Sequence, residues 1–191
     1  MAIFLLPLGV ILATSLITQL EYKNNTWKQL HTTPQRLTTI FFAKLAVITV
    51  MMMQFFILFN IGIYLSGVIP CLLIKGVPYP KEPIPYLFFL KENMHYFIDC
   101  LPIIGLQYLV SLLFKNFLVP VGGGIAIWIL SVSVLSWKYG YVFPYTYCGL
   151  NYLKTLGKYH EVINIHVAAT GYFLLFTIAG YVLYISRKEK G

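Results

Sequence analysis

Long apolar stretches without a single charged residue dominate this chain of 191 residues. A helix needs about 20 mostly apolar residues to cross roughly 30 Å of hydrocarbon. In lipid, every backbone amide must also be hydrogen-bonded within its own segment. The pattern therefore predicts an all-α polytopic membrane protein. Five transmembrane helices are predicted, at about 2–20, 42–67, 96–114, 117–137 and 166–186.

Composition agrees with a membrane protein that has a single domain. Hydrophobic residues make up 59% of the chain and charged residues only 10%, against about 25% in soluble domains. The polar connections are too short to hold a soluble domain, so we assign 1–191 to one transmembrane domain. The formal net charge is +8, but the basic residues form no stripe interleaved with aromatics. We therefore expect contact with membrane lipid and none with nucleic acid.

Lysine and arginine residues are divided unevenly between the two sides of the predicted bundle. Eight of them fall in the 21–44 connection, at Lys115 and in the C-terminal tail, and six fall on the other side. Since the more basic side faces the cytoplasm, we predict that the C-terminus is cytoplasmic. Five spans then place Met1 outside, although the chain lacks the basic start and cleavage site of a signal peptide. We therefore expect that an earlier cytoplasmic tail and span are missing from this sequence.

The 21–44 connection is the most polar part of the chain. Its pattern predicts a short surface helix with Trp27 and Leu30 on one face. A break follows, and then a helix with Pro34 in its first turn that continues through the membrane to about Tyr64. The same residues also suit an ordinary interfacial loop, with Trp27 as an aromatic anchor and the lysines against anionic lipid.

Several residues of this connection stand in an order shared with a known family: Glu21, Thr26, Trp27, Lys28, Leu30, Pro34 and Arg36. The short basic link at 111–116, the glycines at 122–124 and the pair Pro144-Tyr145 follow in the same order. Together they resemble ABC-2-type permeases, most closely the group that handles lantibiotics and bacitracin-like peptides. The resemblance covers nearly the whole chain except a first cytoplasmic helix and span.

The resemblance implies the membrane subunit of an exporter in the bacterial plasma membrane, associated with resistance to antimicrobial peptides. The residues around Trp27 would form a coupling helix that docks on a separate cytoplasmic ATP-binding subunit. A second permease subunit, identical or different, would complete the translocation path. The chain itself would carry no catalytic group, cofactor or metal, and the sequence contains no phosphate-binding loop.

The outer connections are rich in proline and tyrosine. Prolines rule out a regular helix through the middle of 69–97, and the apolar 86–90 segment suits the headgroup region. Tyrosines crowd the 137–166 connection, where the resemblance implies short re-entrant or interfacial helices. Pro144, Tyr145 and Tyr147 are either an outer gate for an amphipathic substrate or part of a plain aromatic belt.

Other polar groups have plainer interpretations. Uncharged polar residues within the spans are expected to hydrogen-bond between helices, and the lack of a carboxylate there argues against an ion-driven carrier. His95, His160 and His166 match no metal-ligand spacing and are interpreted as interfacial histidines. The three cysteines have no metal spacing either, and we interpret them as apolar thiols.

Two alternative functions remain from the residues alone. One is a membrane enzyme acting on lipid or peptide, with His160, Glu161 and His166 as catalytic groups. The other is a membrane scaffold that transports nothing. Co-purification of a soluble ATP-binding protein would favour the exporter subunit over both.

Overall fold

The described part of the chain is helical and contains no strand. The computed structural model describes residues 4–23, 36–74, 85–114, 116–159 and 163–188. Six α-helices occur in these ranges: α1 Leu5–Lys23, α2 Leu37–Leu73, α3 Tyr86–Leu113, α4 Leu118–Val134, α5 Tyr147–Thr155 and α6 Ile165–Lys188. Two short 3-10 turns, Gly140–Val142 and Pro144–Thr146, precede α5.

Three of these helices are long and apolar enough to cross a membrane, namely α2, α3 and the Ile165–Ser186 part of α6. The apolar helices at Leu5–Leu20 and Leu118–Val134 are shorter. At 1.5 Å per residue, the 17 residues of α4 span about 26 Å. The structure thus confirms an all-α polytopic membrane protein, while the limits of the five predicted spans stay predictions.

Helix α3 is the centre of the bundle. It packs against α1, α2, α4, α5 and α6, and its buried residues are spread around the helix rather than along one face. It packs most extensively on α6, and a Cβ at Gly105 would lie 3.2 Å from the Cβ of Phe176. By contrast, the buried residues of α2 end at Phe56, and the rest of that helix exposes apolar side chains, as lipid contact requires.

Two helices extend further than the sequence pattern predicts. Helix α2 has 37 residues and is about 55 Å long, well beyond the hydrocarbon thickness. Pro70 lies inside its last turn, so the start of the 69–97 connection is helical. Helix α3 begins at Tyr86, which joins the apolar 86–90 segment to the span predicted from 96 onwards.

Residues 140–155, which we call the cap, cover one end of the bundle. The Thr146 hydroxyl donates to the backbone oxygens of Gly140 (2.8 Å) and Phe143 (2.6 Å), which holds the two turns together. Tyr147, Cys148 and Leu150 of α5 are buried. The cap packs against α3, α4 and α6, as expected for the short re-entrant or interfacial helices predicted in this connection.

Two neighbouring glycines of α4 should respond differently to substitution. A Cβ at Gly124 would lie 2.6 Å from Gln107 Oε1 and 2.8 Å from Ile11 Cγ2, whereas a Cβ at Gly123 would meet nothing within 4 Å. We expect Gly124→Ala to lower the free energy of unfolding by about 1–3 kcal/mol through overpacking. Gly123→Ala is the matched control and should be neutral. Unfolding of the detergent-solubilised chain by added SDS measures both, and equal effects would contradict this packing.

Candidate functional site

One end of the bundle gathers the C-termini of α1, α3 and α6 and the N-termini of α2 and α4. Gln19 near the end of α1 donates to the backbone oxygen of Phe114, just after α3, at 2.6 Å. The hydroxyls of Thr38 in α2 and Tyr181 in α6 lie 2.9 Å apart. The 24–35 connection and the C-terminal tail therefore leave from the same end, which is the end predicted to be cytoplasmic.

Most of the predicted coupling residues lie outside the described residues. These are Thr26, Trp27, Lys28, Leu30 and Pro34. Glu21 belongs to the last turn of α1, and Arg36 stands exposed immediately before α2. The connection runs from the end of α1 to the start of α2, and its role in coupling stays a prediction.

The Gln19 side chain closes the end of α3. The last carbonyl groups of a helix have no partner within the helix, and Gln19 Nε2 lies 3.4 Å from the backbone oxygen of Ser111 and 2.6 Å from that of Phe114. Gln19 is only 6% exposed. This contact therefore ties the ends of α1 and α3 together at the point where the chain leaves α1 for the 24–35 connection.

A second buried amide, Gln107 of α3, lies in the middle of the bundle and connects three other elements. Its Nε2 donates to Ser15 Oγ of α1 at 2.8 Å and to the backbone oxygen of Pro120 in α4 at 2.7 Å. The Tyr145 hydroxyl of the cap donates to its Oε1 at 3.2 Å. Both donor hydrogens and one acceptor position of the amide are thus used. Gly124 leaves the space in which this amide fits.

The expected hydrogen bonding between helices is found for some of the polar residues. Ser15, Gln19 and Gln107 bridge helices, while Thr18 and Thr49 return to carbonyl groups of their own helix. The sequence indicates which residues are polar but not this division, because a hydroxyl can always bond the carbonyl four residues earlier.

The three residues predicted as an outer gate lie in the cap. Pro144 opens the second 3-10 turn, Tyr145 is 3% exposed and Tyr147 is fully buried. Burial raises the pKa of both tyrosine hydroxyls above the usual value. The residues therefore form part of the packed contact between the cap and the helices rather than an exposed aromatic rim.

A buried carboxylate lies near the cap. Asp99 of α3 is fully buried, and its Oδ1 lies 2.9 Å from Nδ1 of His166 in the first turn of α6. The rings of His166 and His95 are stacked, with centroids 4.5 Å apart, and His95 Nδ1 lies 3.8 Å from Glu92 Oε1. Helices α3 and α6 thus bring four titratable groups together.

This cluster corrects the expectation that the predicted spans hold no carboxylate. Asp99 falls within the predicted 96–114 span, and it is buried in the middle of α3. The signal that could have found the cluster is the spacing of His95 and Asp99, which at i and i+4 share a helix face. Their pairing with His166 depends on the packing of α6 and is not visible in the sequence.

The cluster does not form a metal site in the described part of the chain, where no group of three or more histidine, cysteine or acidic residues is arranged to hold an ion. Of the three residues considered for a membrane enzyme, only His166 is described. His160 and Glu161 lie outside the described residues.

Comparison with known proteins decides the family. A family model described as ABC-2 family transporter protein matches residues 1–133. The chain belongs to the ABC-2 family of transporter proteins. It is therefore a multi-pass integral membrane protein and a permease subunit of an ABC transporter. Neither the curated proteins nor the solved structures contain a match to it.

The matched range covers the first four helices but not the cap or α6. It includes α1, the 24–35 connection, α2, α3 and nearly all of α4. The cap and α6 lie beyond it. The predicted coupling residues therefore fall within the matched range, whereas Pro144, Tyr145 and Tyr147 do not.

Loss of the Gln107 amide should destabilise the permease. Gln107→Leu would leave the buried hydroxyls of Ser15 and Tyr145 without this partner, and we expect a loss of about 1–2 kcal/mol in the free energy of unfolding. Gln54→Leu on the exposed face of α2 is the control and should have little effect. SDS-induced unfolding provides the measurement. Equal losses in the free energy of unfolding for the two variants would show that the hydrogen bonds of Gln107 do not stabilise the permease.

Substitutions of Asp99 and His166 should have non-additive effects on the free energy of unfolding. His166→Ala leaves one oxygen of a buried carboxyl group without its hydrogen-bond partner, and such losses typically cost about 1–3 kcal/mol. Asp99→Asn also removes this pairing, so the double variant should be more stable than the sum of the two single effects predicts. A double-mutant cycle on the free energy of unfolding measures this. Purely additive effects would contradict the pairing.

Proposed function

We propose that the permease is the transmembrane subunit of an ATP-driven exporter. A separate cytoplasmic ATP-binding subunit docks on the 24–35 connection and supplies the energy, and a second permease subunit completes the path. The observation that carries this proposal is the family match over residues 1–133, which includes that connection and the two helices it joins. ATP hydrolysis is assigned to the partner, so this chain acts as a non-catalytic subunit.

The contacts at the 24–35 end support a mechanical role for the connection. Helix α1 is held to α3 by Gln19 and, further along, by Ser15 with Gln107. Helix α2 is held to α3 because the Tyr108 hydroxyl donates to the backbone oxygen of Phe41 at 3.0 Å. A displacement of the connection therefore acts on two helices that both rest on the central helix.

The same amide links this movement to the other end of the bundle. Gln107 binds Ser15 on α1 and Tyr145 in the cap. If α1 shifts against α3, the amide must reorient, and its bond with Tyr145 changes as well. We therefore assign Pro144, Tyr145 and Tyr147 to an outer gate that is closed in this arrangement. Two discrete arrangements of packed elements are the general basis of such transitions.

The cargo class follows from the family resemblance and from the aromatic character of the outer connection. We propose an amphipathic peptide, drug or lipid-like molecule, exported across a bacterial plasma membrane, with resistance to antimicrobial peptides as the physiological result. Export and the cytoplasmic C-terminus share one requirement, namely that the 24–35 connection faces the cytosol.

Purification tests the proposal directly. The tagged chain, extracted from membranes of its native host, should bring down a soluble protein with nucleotide-binding motifs in fixed proportion, and the complex should hydrolyse ATP in lipid vesicles. Sidedness is tested by Lys28→Cys in a background without other cysteines. A membrane-impermeant maleimide should label it only from the cytosolic side. Labelling from outside, or a pure complex without ATPase activity, would refute the exporter role.

Substitutions in the connection should uncouple the two subunits. Trp27→Ala and Leu30→Ala remove apolar anchors from the face predicted to dock, so we expect at least a tenfold loss of permease-dependent ATPase activity, equivalent to about 1.4 kcal/mol. In the predicted helix Gln29 falls on another face, so Gln29→Ala is the control. The amount of membrane-inserted permease should not change. Wild-type ATPase activity in both Trp27→Ala and Leu30→Ala would exclude this docking site.

A further inference from the structure

Two cysteines from distant parts of the chain meet where the cap packs on the central helix. Cys100 lies on α3 and Cys148 in the first turn of α5, and their Sγ atoms are 3.4 Å apart. Both residues are fully buried. The third cysteine, Cys71, lies on α2 and bonds to the backbone oxygen of Gly67 in its own helix. Cys100 and Cys148 are therefore the two cysteines that meet across the contact between α3 and the cap.

We propose that Cys100 and Cys148 form a site of reversible disulfide modification that fastens the cap to α3. A disulfide bond is about 2.05 Å long, so the two sulfur atoms need to approach by only about 1.4 Å. The positive-inside argument places the cap on the outer side of the membrane, where thiols are not kept reduced by cytosolic systems. The inference depends on the geometry of the thiol pair and on the predicted outer placement of the cap, and not on ATP-driven transport.

The reaction is an exchange with a disulfide oxidant. The Cys148 thiolate attacks one sulfur of that oxidant, its S–S bond breaks, and one thiolate leaves. The Cys100 thiolate then attacks Sγ of Cys148 in the mixed disulfide and displaces the second thiolate. The permease loses two electrons and two protons overall. The oxidant gains both and is released as two thiols.

The closed cap protects the site in both redox states. A hydrogen bond with Cys100 and burial raise the pKa of the Cys148 thiol well above its usual value, so little of the reactive thiolate exists while the cap is closed. Lifting the cap exposes Cys148 and removes both effects. Oxidation is therefore expected in the open arrangement, and closing the cap afterwards shields the new bond from reductants.

Peptide mapping of the full-length chain tests this site. Membranes containing the permease are incubated with oxidised glutathione, free thiols are then blocked under denaturing conditions, and the protein is digested. A Cys100–Cys148 linked peptide should account for most of the chain and should disappear after treatment with dithiothreitol. The same link should form in Cys71→Ser, which keeps the pair intact. In Cys148→Ser the thiol of Cys100 should stay available to the blocking reagent.

A second measurement keeps the test independent of these variants. Oxidised wild-type chain should show a thermal midpoint several degrees above that of the reduced chain, because the bond closes a loop between positions 48 residues apart. Cys148→Ser should show no shift with the oxidant. Free thiols at both positions after oxidation, or a link that involves Cys71, would overturn the proposal. An unchanged midpoint in chain that carries the Cys100–Cys148 link would show that the bond does not fasten the cap.

Discussion

The Gln107 side chain lies where α1, α3, α4 and the cap meet, in a part of the protein that water does not reach. An amide in such a place is costly unless its donors and acceptor are all used. Ser15, Pro120 and Tyr145 meet this requirement from three different elements. Since lipid gives helices little hydrophobic reason to associate, hydrogen bonds of this kind and close packing at Gly124 hold the arrangement together.

Buried polar groups also find partners at both ends of the bundle. At one end Gln19 satisfies carbonyl groups that helix α3 cannot satisfy itself. At the other end the Asp99 carboxylate is buried with His166 as its partner. Polar contacts at these three levels all include α3, so a movement of α1, α6 or the cap relative to α3 would break or exchange these bonds. This makes α3 the natural reference frame for movements of α1, α2 and the cap.

The family match and the structure inform different parts of the permease. The matched residues 1–133 contain the helices that the ATP-binding subunit is proposed to move. The cap and α6 lie beyond this range, yet α6 packs extensively on α3 and the cap contacts Gln107. The outer part of the permease, including the thiol pair of Cys100 and Cys148, is therefore interpreted only from its contacts in this structure.

The apolar runs alone determined that the chain is helical and lies in a membrane, because a backbone in lipid has few other ways to satisfy its hydrogen bonds. The order of residues from Glu21 to Arg36, with the later motifs, was enough to indicate the family. Helix limits such as Tyr86 and Leu73 were missed, since proline and charge mark possible ends rather than actual ones. Only the tertiary structure decided which polar residues pair: Gln107 with Tyr145, Asp99 with His166 and Cys100 with Cys148 are far apart in sequence, and their meeting depends on how the helices pack.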